Sequence, residues 1–377
     1  MMKYKRSSSP TSAAIIGGND DLLIEILSFA PAKSLIRFKS VSKQWHCLIS
    51  APSFRQLHTL RHRLRPKPQP VVLLLSMSSE FFICNPTIKK LIPFDFGFTY
   101  MKIMQSCNGL LLLECKNSRY GQESYYVYNP ITKQYGNLLI KRPFAGLCLA
   151  FDPLKSPHYK ATCFTNDDQR VGSEYQFSID VYESETHTWK HCAKLRINIL
   201  QFHNGIYWND GIYFIRPGGK SFCFYLRGIE DNVAQRIDKP PKVCSRGKRR
   251  GYAMESNGHL HFISVSLQPP KNSLSVFELN KDDRSWFMKY RVDLRPIAAM
   301  FDENYDLVYN VLGIIRGDRE EDSTMMFHEP GKIILYRFYD KRFEVLVDFR
   351  REDYYEEGRF QYGFNDSFQF IETLVPV

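Results

Sequence analysis

A unit made of one short apolar strand, a polar or Asn-Pro turn and a large residue recurs along the chain, and no other feature narrows the possible folds as far. It reads ICNPTIKKL from Ile83, VYNPITKQY from Val127, VYESETHTW from Val181, VFELNKDDRSW from Val276 and YRFYDKRFEV from Tyr336, with a blurred copy, FYLRGIEDNVAQRI, from Phe224. Successive copies start 44, 54, 43, 52 and 60 residues apart. Each interval has room for about four strands, the size of one propeller blade. An all-β domain over 71–377 is therefore expected, a β-propeller of about six or seven blades. SCNGLLLLE and FHNGIYWNDGIYFI supply inner-strand candidates whose Asn-Gly and Asp-Gly pairs suit tight hairpins. A ring must also close, because open blades leave strand edges that aggregate. Phe368–Val375 (FQFIETLV) and Val71–Leu75 both read as strands without a sequence neighbour, so the two ends are expected to share one blade.

Ahead of the Pro-rich RPKPQP at 65–70, the apolar period is helical. Leu22, Leu23, Ile26 and Leu27 form one stripe, with Asp20 and Asp21 in the first turn, where the helix dipole favours them, and Asn19 as cap. Pro31 stops that helix. Leu35, Ile36 and Phe38 mark a second helix, and Val41, Trp45, Leu48 and Ile49 a third, capped by Ser40 or Ser42 and ended by Pro52. A further amphipathic helix is expected over 53–64. The domain reading is a flexible tail at 1–18, a helical module at 19–64, a linker at 65–70 and the all-β domain from 71. Three helices in about thirty-five residues do not enclose a core alone, so their leftover apolar surface points to an interface.

The stretch resembles the F-box, the adaptor-binding module of cullin-RING ubiquitin ligases. DLLIEIL, the Pro31 followed by KSLIRFKSVSKQW, and LISAPSF carry the likeness. The family usually begins with a Leu-Pro or Ile-Pro pair, and here Gly18 and Asn19 stand there. NPITKQY, SCNGLLLL, VYESETHTW and NGIYW are in turn similar to the F-box associated domain of plant F-box proteins, a kelch-like propeller region. The resemblance implies a non-catalytic substrate-recognition subunit of an SCF-type ligase. Its Skp-type adaptor, and cullin through it, would be contacted by Leu22, Leu23, Ile26, Leu27, Pro31, Leu35, Val41 and Trp45, some of which would fill the helical core instead. The propeller would hold a target protein. The other reading is a propeller enzyme or carbohydrate-binding protein with an incidental helical leader.

Charge placement bears on partners. The net charge is +11, and residues 1–70 carry twelve Lys or Arg against three Asp or Glu, leaving +2 for the rest. This argues against a nucleic-acid groove in the larger domain. The pairs His187/His191 and His259/His261 lack further ligands at metal spacing, and no phosphate loop or nucleophile elbow occurs, so neither metal, cofactor nor catalytic residue is expected. The start lacks a signal-peptide core, and nine cysteines without a C-x-x-C pair suit a cytoplasmic or nuclear protein outside any membrane. Target contacts are expected on loops 165–174, 239–251 and 316–330, with Arg170, Arg246, Lys248, Arg249, Arg250 and Arg319 as candidates.

Overall fold

The computed structural model describes residues 12–63, 72–77, 80–85, 89–94, 101–116, 123–140, 142–198, 202, 204–216, 221–226, 235–241, 249–266, 273–300, 310–329, 331–348 and 367–377. The expected linker at 65–70 lies outside these residues. Five helices come first: α1 (Ser12–Gly17), α2 (Asp20–Leu27), α3 (Ala32–Phe38), α4 (Lys43–Ser50) and α5 (Pro52–Arg63). Local chemistry sets their bounds. Asn19 caps α2, its Oδ1 accepting from the Asp21 and Leu22 amides at 3.0 and 3.1 Å. Pro31 leads into α3, and Ser42 caps α4 by accepting from the Trp45 amide at 3.1 Å. Pro52 opens α5, where a missing amide costs nothing. The leader departs from expectation: Ser12–Gly17, placed in a flexible tail by sequence, forms α1, consistent with its alanines and their high helix propensity.

The core of this module is not made by the module alone. Leu23, Leu27, Ala32, Leu35, Ile49 and Phe54 pack together with Leu374 from the far end of the chain, and Ile131 of the β domain joins at the margin. The Lys33 amide also donates to Glu372 at 3.3 Å.

Among the described residues, the β domain is six four-stranded antiparallel sheets. The edge strands Met101–Cys107, Gly146–Ala150, Ile206–Trp208, Arg249–Ser256, Asn310–Ile315 and Ser367–Phe370 pack on one another in a closed ring. They run in the same direction around it. Side chains of one reach the backbone of the next, as in Ser106 Oγ to Gln369 O at 2.5 Å, Gln105 with both the amide and carbonyl of Leu149, and the Arg316 amide to Ser256 Oγ at 3.0 Å. Three turns after these strands, Asn108-Gly109, Asn209-Asp210 and Asn257-Gly258, have φ positive at both residues, the geometry that two-residue hairpins need. At Gly109 a side chain would meet the Ile371 carbonyl at 2.4 Å, so the backbone there must stay bare. Trp189, Trp208 and Trp286 bond neighbouring sheets, each indole donating to a carbonyl of an adjacent one: Trp189 and Trp286 to Leu138 and Asp238 of the preceding sheet, Trp208 to Gly258 of the following one.

The ring closes through its ends. Val72 pairs with Phe370 and Leu75 with Ser367, placing the last strand inside the first sheet. Beyond that strand the chain turns onto the helical module, and Asn129 holds it there. Its buried Nδ2 donates to the Thr373 and Val375 carbonyls at 3.1 and 2.6 Å, while Oδ1 accepts from the Ile131 and Thr132 amides.

Candidate functional site

The helical module turns two faces outward and inward along α2. Leu23 and Leu27 are 3% and 2% exposed, and Leu35 of α3 is fully buried, so these three belong to the core. Leu22 and Ile26, one helical turn apart, are 42% and 55% exposed. Val41, between α3 and α4, is 60% exposed, and Pro31 is also exposed. Trp45 is half-buried, edge-on to Phe38 with ring centres 5.7 Å apart. The eight residues singled out from sequence therefore divide into a packing set and an outward set. Ile15 and Ile16 of α1 and Phe29 are exposed as well. Ile15 and Ile16 lie in a leader whose composition reads as a tail, although its AAII run is a helical signal. Beside this surface the Arg61 guanidinium lies 4.7 Å over the Phe29 ring and bonds Glu25, holding that carboxyl below its ordinary range.

An axial channel of about 650 Å³ runs through the ring of inner strands. One end is lined by His58, Thr59 and His62 of α5 together with Glu372 and Thr373. His58 and His62 both contact the Ala30 carbonyl, at 2.9 and 3.1 Å. The helical module thus occupies the face that carries the turns following the inner strands.

The basic residues chosen from sequence do not form one patch. Arg319 follows the inner strand Asn310–Ile315, and Asp318 beside it accepts from Asn257 at 2.9 Å, which sets it on the module's face. Arg249 and Arg250 begin the strand Arg249–Ser256, about 20 Å away at its other end. Arg170 lies near the tip of the hairpin formed by Lys160–Val171 and Glu174–Glu183, past the first residue of the inner strand Gly146–Ala150 and so on the Arg249 side. Arg246 and Lys248 fall outside the described residues. Two of the expected long loops contain strand: 165–174 is a tight hairpin, and 316–330 holds a short 3-10 turn followed by the strand Thr324–Glu329. Polarity misled there, because strand residues on a wet sheet face are polar too. Arg319 spends its charge locally, on Asp322 and Glu321.

No helix among the described residues is long and apolar enough to cross a membrane. The F-box domain matches residues 19–57, and the β-propeller of the F-box protein At3g26010-like family matches residues 87–309. F-box protein At5g07610 of Arabidopsis thaliana is 32% identical over 98% of this chain and 94% of its own length. F-box protein At5g49610 of the same plant is 28% identical over 74% of this chain and 80% of its own length. The putative F-box/kelch-repeat protein At4g22430, also from Arabidopsis thaliana, is 26% identical over 74% and 70%. A helical module at 19–57 followed by a closed ring of sheets, with a relative similar over nearly its whole length, places this chain among the plant F-box proteins that carry a β-propeller.

Proposed function

We propose that this chain is the substrate-recognition subunit of an SCF-type cullin-RING ubiquitin ligase. The helical module docks on a Skp-type adaptor, cullin is reached through that adaptor, and the kelch-like propeller holds a target protein. The chain contributes proximity and orientation, not catalytic groups, and works in the cytoplasm or nucleus. The observation that carries this reading is the pair Leu22 and Ile26, exposed side by side on a helix whose opposite face is already packed. With Val41, and with Ile15 and Ile16 where the usual Leu-Pro pair is absent, they form apolar surface of the kind that anchors a protein partner. The target is assigned to the mouth of the axial channel away from α5, the side bearing Arg170, Arg249 and Arg250.

Co-expression of the full chain with a plant Skp-type adaptor and cullin tests the reading. All three proteins should co-purify, and Leu22→Asp with Ile26→Asp should remove adaptor and cullin together. Purification of the chain alone, or cullin retained by the double variant, would contradict it.

A further inference from the structure

A second cavity, about 200 Å³ and distinct from the axial channel, lies in the seam between the helical module and the propeller. Lys39 and Arg55 line it from the module, Thr132 and Gln134 from the propeller, with Ile36 and Leu374 as apolar wall. Its polar chemistry is one-sided. No carboxylate lines it among the described residues. The Lys39 ammonium makes no hydrogen bond or ion pair with any described residue, and Arg55 directs one nitrogen to the Ser50 carbonyl. Burial pushes the Lys39 ammonium below its ordinary range, and the positive charge of Arg55 adds to that; burial also pushes Arg55 down. On the opposite wall the Thr132 hydroxyl is buried without a hydrogen-bond partner among the described residues.

Two partly desolvated cations beside one another are unfavourable, and a buried hydroxyl without a partner is a second cost. A single occupant relieves both. It must be anionic, offer several acceptor oxygens and be compact, since the cavity is smaller than the roughly 300–1,000 Å³ of sites for drug-sized ligands. Arg, Lys and a hydroxyl lining one compact cavity suit a tetrahedral oxyanion. We propose that the seam binds a small phosphate species, inorganic phosphate or a compact phosphomonoester, held between the Lys39 ammonium, the Arg55 guanidinium and the Thr132 hydroxyl. Because the donors come from both modules, the anion ties one to the other, and its binding stabilises the folded chain by mass action.

Thermal unfolding and calorimetric titration of the full chain at constant ionic strength test this, with sodium phosphate, glycerol phosphate and sodium chloride as probes. Phosphate should raise the melting temperature saturably and chloride should not. The tighter of the two phosphate probes identifies the free ion or the monoester as the preferred form. Lys39→Gln should weaken phosphate binding by about tenfold or more, through loss of a charge-assisted contact. In phosphate-free buffer it should melt no lower than the parent, because it removes a repelled cation. Thr132→Val should weaken binding less, and Lys43→Gln, on the exposed side of α4, should leave it unchanged. Absence of a saturable rise, an equal rise with chloride, or unchanged phosphate affinity in Lys39→Gln would overturn the proposal. So would a phosphoserine peptide binding more than tenfold tighter than either small probe.

Discussion

The helical module and the propeller solve the same problem in opposite ways. The propeller satisfies itself: the pairing of Val72–Leu75 with Ser367–Phe370 gives the first sheet its fourth, inner strand, so the ring of described sheets closes. The module is too short to do so, and it completes its core with Leu374 while leaving Leu22, Ile26 and Val41 in solvent. The difference teaches where partner surface comes from. A ring spends its apolar residues on its own blades, whereas a small bundle has a remainder, part covered by the propeller and part left in solvent.

The sharpest way to break this contrast is to remove 367–377. The closing strand and the tail beyond it leave together, so both regions should fail: the ring through its open edge and the module through its missing core residue. Limited proteolysis should find α2 to α5 cut along with the sheets. A truncated chain whose module stays as resistant as before would show that the two regions fold separately. Leu374→Asp separates the effects, since it leaves the closing pairing intact and puts a charge into the helical core. It should cost about 3 kcal/mol or more and loosen the module first, as read by exchange of the α2 and α3 amides.

Asn129→Ala comes next. It removes two donors to the tail carbonyls and the acceptor for its own turn, with an expected loss of roughly 2–3 kcal/mol in chemical unfolding. A loss below about 0.5 kcal/mol would mean that the tail is held by Leu374 alone.

A smaller, pH-dependent effect belongs to the propeller. His261 is fully buried, and burial lowers its pKa from 6.5 to about 3 despite Glu278 at 4.0 Å. The folded state thus holds it neutral while the unfolded chain takes up a proton. Its contribution is complete above pH 6.5 and is lost as the pH falls from there toward 3. The melting temperature should drop between about pH 7 and pH 5, and less steeply in His261→Leu. Equal slopes in the two proteins would assign the drop to other groups.

Much of this was legible in the sequence. Helix bounds followed from Asn19, Pro31, Ser42 and Pro52, and strand-and-turn spacing followed from the repeated units, which left the blade number at about six or seven where six sheets are found. The pairing of the two ends followed from strand edges that needed partners. Hidden were features that depend on which face packs. The stripe of α2 is continuous in sequence, yet Leu23 and Leu27 turn inward only because α3, α5 and a residue some 350 positions away converge on them. Local pattern has no access to Leu374. Polar runs such as TNDDQRVGSE read as loops because an exposed hairpin has the same composition.

The proposed function requires that the outward face of α2 bind a partner while its inward face serves as core. Titration of a plant Skp-type adaptor onto the full chain, alongside thermal unfolding of each variant, tests it most directly. Ile26→Asp should leave the melting temperature within about 2 °C and weaken adaptor affinity by about thirtyfold, on the order of 2 kcal/mol for an interface anchor. Leu23→Asp should instead unfold the module, and Tyr339→Asp, exposed on the propeller, should change neither. Parent-like adaptor affinity in a folded Ile26→Asp protein would contradict the account.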